Sequence, residues 1–108
     1  MTNTMTMPTE VKEYFSKGRR KIKEVFANDD FTLTITFDNN EIRIYDMAQT
    51  LQGDVFAPIR NIERFRDVHI DPHGSIAWDI DPSIDSEVVW SNKLDLCPDS
   101  CYIYSLLL

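Results

Sequence analysis

Residues 31–46 alternate apolar and polar side chains in two runs separated by a turn, and this pattern commits the chain to a sheet. Phe31, Leu33, Ile35 and Phe37 fall on one side and Thr32, Thr34 and Thr36 on the other. A strict period of two is the signature of a half-buried strand. Asp38-Asn39-Asn40 follows, and Asn and Asp tolerate the positive φ of a tight hairpin connection. Residues 41–46 return with Ile42 and Ile44, expected to point inward. Upstream, Ile22–Ala27 is predicted as another strand, joined through the turn residues Asn28-Asp29-Asp30. The three runs predict an antiparallel meander.

Beyond Asp46 the period breaks. Asp46 is placed to cap a helical turn over residues 47–51, and Val55-Phe56-Ala57-Pro58-Ile59 is an apolar connector. Asn61 is expected to cap a short helix over residues 62–65. Residues 67–71 and 75–78 are predicted strands around the turn Pro72-His73-Gly74, and Trp78 alternates with Ile76 toward the core. A polar loop covers residues 79–86, and Val88-Val89-Trp90, residues 93–96 and residues 102–104 finish the domain. Before the meander, Val11, Tyr14 and Phe15 recur at helical spacing and Gly18 stops the helix. The expectation is an α+β fold: a small antiparallel sheet of about five strands, an N-terminal helix, and short helices between the third and fourth strands. Residues 1–21 form a tail and short helix, and residues 22–108 a single domain.

A chain of 108 residues suits one core. No apolar run approaches the length of a membrane-spanning helix, and the first residues lack the pattern of a secretory signal, so a cytoplasmic protein is expected. The net charge is −7 and is unevenly spread. Residues 1–24 carry six Lys/Arg against three Glu, whereas residues 25–108 carry five Lys/Arg against fifteen Asp/Glu. A body at −10 repels phosphate, so direct nucleic-acid binding is not expected there. An acidic surface serves solubility, and it also steers a basic protein partner. Homodimer formation stays open.

Asp79, Asp81, Asp85 and Glu87 crowd one loop, but the spacing lacks the Gly and the final Glu of a calcium loop. Cys97 and Cys101 with His69 and His73 make a Cys2His2 set only on paper, because the order and spacing are unusual for zinc. Two reduced thiols, at least one packed as a small apolar group, are the simpler expectation. No nucleophile–base pattern and no Gly-rich phosphate loop occurs, so no catalytic residue, metal or cofactor is assigned and no enzyme is expected. Trp90, Tyr102 and Tyr104 are candidates for an aromatic patch near the acidic loop, which would suit a protein interface.

Several linked segments carry a resemblance. They are Phe37 through Asp46, with Asn40 where Gly is usual; Gly53-x-x-Phe56-x-Pro58-Ile59-Arg60; Phe65-x-x-Val68-x-Ile70; Gly74-x-Ile76-x-Trp78; and Leu94-Asp95-Leu96-x-Pro98-Asp99-x-x-Tyr102. Over about residues 22–104 the chain resembles the bacterial family catalogued as domain of unknown function 2442. It is similar to a longer subgroup in which residues 79–90 intervene before Ser91-Asn92-Lys93. The resemblance implies a small α+β fold with an antiparallel sheet and no established activity. It also implies a neighbouring gene for a second small protein, a pairing that suggests a toxin–antitoxin-like arrangement. The expectation is therefore a non-catalytic protein-binding or accessory module, the antitoxin-like partner of a two-gene pair, with Asp79, Asp81, Asp85, Glu87, Trp90, Tyr102 and Tyr104 as its contact residues. The alternatives are an acidic inhibitor that mimics nucleic-acid charge and, more weakly, a metal-dependent enzyme.

Overall fold

The computed structural model describes Tyr14 and residues 18–107. The helix expected around Val11, Tyr14 and Phe15 lies outside the described residues except for Tyr14, which is buried.

The meander forms as the alternation requires. Strands β1 (Ile22–Ala27), β2 (Thr32–Phe37) and β3 (Ile42–Asp46) pair antiparallel in sequence order. Asn40 takes φ +67°, the left-handed conformation that Asn accepts in place of Gly. Phe31 also sits at φ +62°, so it belongs to the turn before β2. Its ring still packs on Phe65, 5.1 Å between centroids.

Two separate sheets replace the single sheet of about five strands. A final strand β7 (Leu106–Leu107) adds to β3, giving the order β1-β2-β3-β7. The second sheet has three strands, β4 (His69–Ile70), β5 (Ile76–Asp79) and β6 (Lys93–Leu96), in sequence order. The short helix α1 (Ile62–Phe65) precedes β4, and the Asn61 side chain accepts from the Glu63 N–H at 2.8 Å, the cap its position predicts. The connector over Asp54–Ile59 is a 3-10 helix. Helix α2 (Pro98–Ile103) follows β6, with Pro98 in its first turn and Cys97 as N-cap. Thus Tyr102 and Ile103 are helical. Proline tolerates the first helical turn because that turn needs no amide donor.

The register of the hairpin overturns one inward assignment. Thr36 pairs with Ile42 and Thr34 with Ile44, so both isoleucines share the threonine face. Arg43 and Tyr45 instead oppose Ile35 and Leu33 on the core side. A shift of one residue reverses every side chain of a strand.

The core is made by Leu33, Ile35 and Phe37 of the first sheet, Ile76, Trp78 and Leu94 of the second, and Met47, Ile59, Phe65 and Cys101 between them. The Trp78 indole stacks on Phe65 at 5.8 Å and donates its N–H to the Phe65 carbonyl at 2.9 Å. A buried tryptophan needs such an acceptor. Burial pushes the Cys101 thiol up to about 12, with the neighbouring Cys97 adding to the effect, so this cysteine is an inert core residue.

Candidate binding site

The loop between β5 and β6 is built around Asn92, whose residue is buried. Its Oδ1 accepts from the Asp81 N–H at 2.8 Å, and its Nδ2 lies 3.0 Å from the Asp81 carbonyl, 2.9 Å from the Ile84 carbonyl and 3.1 Å from Ser86 Oγ. Ser86 in turn donates to the Asp79 carboxylate. From outside, the Arg64 guanidinium clasps the carbonyls of Asp79 and Ile80, each at 2.7 Å. The polar composition of residues 79–92 therefore encodes a fixed shape and not a loose linker.

The loop aspartates are used locally. Asp81 accepts from Ser83 N and Oγ at 2.9 and 2.7 Å, which hold its carboxyl below the ordinary value. Asp85 accepts from the Glu87 N–H at 2.8 Å. These contacts close turns two residues on, as Asp side chains commonly do. Among the described residues, no three His, Cys, Asp or Glu side chains gather into a group fit to hold a metal ion.

The fixed loop exposes apolar residues. Val88 is 79% exposed, Val89 is 42% exposed and Trp90 is 75% exposed. Trp90 opens the 3-10 turn Trp90–Asn92 that leads into β6. Its ring borders a groove of about 320 Å³ lined with Asp71, His73, Ser75, Lys93 and Asp95.

The floor of this groove is a closed charge network. Lys93 Nζ lies 3.0 Å from Asp71 Oδ2 and 2.6 Å from Glu87 Oε2. Asp71, which is buried, also accepts from the N–H groups of His73 and Ser75, each at 2.9 Å. Burial raises the Asp71 carboxyl, but the Ser75 amide, Lys93 and the His73 amide outweigh it and hold the group below its ordinary value. Lys93 is pushed up by its hydrogen bonds to Glu87 and Asp71. His73 Nε2 stands 4.0 Å from Glu87 Oε1 at the rim.

The anticipated site residues thus divide. Glu87 and Trp90 belong to the groove and its rim, and Asp79, Asp81 and Asp85 shape the loop that carries Trp90. Tyr102, on helix α2, packs against the first sheet, where its ring meets Phe37 edge-on at 4.9 Å and its hydroxyl donates to Glu41 at 2.9 Å. Tyr104 is exposed beside a different hollow with Tyr45 and Thr50. Sequence reasoning missed Asp71, Lys93 and Asp95. The signals were present: Asp71-Pro72-His73-Gly74 is a turn whose first residue caps amides, and Lys93 and Asp95 alternate on one strand with the inward Leu94.

The architecture is that of a small α+β domain with two antiparallel sheets. The chain belongs to the family described as Protein of unknown function (DUF2442), whose profile matches residues 22–104. No curated protein and no solved structure matches it. Among the described residues no helix is long and apolar enough to cross a membrane.

Proposed function

We propose that this chain is a non-catalytic protein-binding module that engages a basic partner through the loop between β5 and β6. The observation that carries the reading is the exposure of Val88, Val89 and Trp90 on a segment locked from behind by Asn92 and Arg64. A soluble domain gains nothing by holding three adjacent apolar side chains rigidly toward water. A preorganised tryptophan is what a binding hot spot uses, since its ordering cost is met before the partner arrives. The surrounding Asp81, Asp85, Glu87 and Asp95 supply the negative rim that attracts a basic surface. The resemblance to a family encoded beside a second small protein makes that neighbour the first partner to examine, with this chain as its antitoxin-like half in the cytoplasm.

The test is capture of partners from cells of the source organism with the tagged chain and with its Trp90→Ala variant. A stable protein retained by the first and released by the second, at equal folded content, is the expected result. Retention of the same proteins by both overturns the reading, as does retention of none.

A further inference from the structure

We infer that the Trp90 groove receives an arginine side chain from an extended segment of the partner, an inference that rests on the binding-module reading. Two independent features lead to it, the open edge of β6 and the charge balance within the groove.

β6 is an edge strand, paired with β5 on one side and with no other strand among the described residues. Such an edge is a template for an added extended segment. Leu94 faces the core, so Lys93 and Asp95 project to the opposite side, where the groove lies. A segment laid along β6 brings one of its own side chains over that groove.

The groove selects the chemistry of that side chain. Asp71, Glu87 and Lys93 satisfy one another. The Asp95 backbone is engaged with Ala77 in the ladder, but its carboxylate makes no hydrogen bond or ion pair among the described residues, and the Trp90 indole N–H has no acceptor there. What remains on offer is one unpaired carboxylate and one exposed aromatic ring. Three carboxylates against one ammonium also make the site hostile to anions. A guanidinium fits both remaining groups, stacking flat on the indole and presenting its planar fork to the carboxylate. An ammonium supplies the charge but neither the plane nor the fork, so lysine binds less well.

The experiment follows the Trp90 indole N–H resonance of the full chain during titration with the capped peptide acetyl-Val-Thr-Arg-Thr-Val-amide. Counterparts carry lysine or the uncharged, isosteric citrulline in place of arginine. The expected result is a saturable shift with the arginine peptide, weaker binding by the lysine peptide, and no binding of the citrulline peptide. Asp95→Asn should weaken the arginine peptide about threefold or more. The citrulline comparison uses the unaltered chain, so it stands even where the variant folds poorly. Equal shifts with arginine and citrulline, an unchanged affinity in Asp95→Asn, or no shift at all each overturn the inference. If the peptide fails while Trp90-dependent capture of a cellular partner persists, only the arginine assignment falls. If both fail, the binding-module reading falls with it.

Discussion

The side chain of Asn92 pairs with the backbone of Asp81 in both directions, accepting from its N–H at 2.8 Å and donating to its carbonyl at 3.0 Å. This carboxamide stands in for a strand neighbour that the loop does not have. Asn92→Ala leaves the Asp81 amide and the Ile84 carbonyl without their partner and should cost about 2–3 kcal/mol in chemical denaturation. Asn92→Asp, nearly identical in shape, should be at least as damaging at neutral pH, because it sets a carboxylate oxygen against two carbonyls. An Asp variant as stable as the native chain would show that shape alone holds the loop.

The register of β3 makes Arg43 matter more to stability than Ile42, which was expected inward. Arg43 lies on the core side of β3, its guanidinium 4.0 Å from the centre of the Tyr102 ring and 2.8 Å from Glu41. Ile42 is 42% exposed beside Thr36. Arg43→Ala should destabilise the chain by about 1–2 kcal/mol, through lost stacking on Tyr102 and the loss of the ion pair to Glu41, which keeps its hydrogen bond from the Tyr102 hydroxyl. Ile42→Thr should change stability by about 0.5 kcal/mol or less, as exposed sheet positions usually do. Thermal melts of the two variants decide the register, since the opposite ranking requires Ile42 to be inside.

Arg43 also shows where the sequence could be read and where it could not. The meander, the positive φ at Asn40 and the cap at Asn61 are local, fixed by a few neighbouring residues, and all were legible. The facing of β3 was not, because its apolar and polar alternation was given the wrong side. Only the cross-strand partners supplied by the turn correct it. The division into two sheets was hidden for a similar reason: β4 and β7 have two residues each, too few to show a period. For the site, the loop and Trp90 stood out through composition. The groove did not, since Asp71 and Lys93 are 22 positions apart and meet only when β4, β5 and β6 align. Of the rings expected to form an aromatic patch near the acidic loop, Tyr102 packs on Phe37 of the first sheet and Trp90 borders the groove beside the second.

Asp71 makes stability depend on acid. Its carboxyl is held below the ordinary 3.8 in the folded chain, because burial is outweighed by the Ser75 amide, Lys93 and the His73 amide. In the unfolded chain the group takes up its proton at the ordinary value. The unfolded state therefore binds more protons in the window below it, and stability falls as pH drops from about 5 through the depressed folded value. The contribution is complete at neutral pH. Asp71→Asn keeps an acceptor but loses the charge facing Lys93, so it should cost about 2 kcal/mol at pH 7. Its denaturation midpoint should then fall less steeply on acidification than that of the native chain. Parallel pH profiles would show that Asp71 is not the titrating group.

Tyr14 acts at the other end of the scale. Its hydroxyl donates to Asp99 Oδ1 at 2.5 Å and accepts from the Arg20 N–H at 2.8 Å, and its ring lies 5.2 Å from that of Tyr102. Burial first, then the hydrogen bond to Asp99, push the phenol up from 10.0 to about 12. Between those values the unfolded chain has released its proton and the folded chain has not. The folded state then binds more protons, and its advantage erodes as pH rises through that window, by on the order of 2 kcal/mol in total. Cys101, also raised to about 12, contributes in the same sense, so the native profile alone does not isolate the tyrosine. Tyr14→Phe keeps the ring contact and removes the titration. Its stability should therefore decline less than that of the native chain between about pH 10 and 12. Absorbance of the native chain should show a phenol ionising at about pH 12, and that late step should vanish in Tyr14→Phe. A late step that survives the substitution would place the protected phenol elsewhere and remove Tyr14 as the tie between the N-terminal segment and α2.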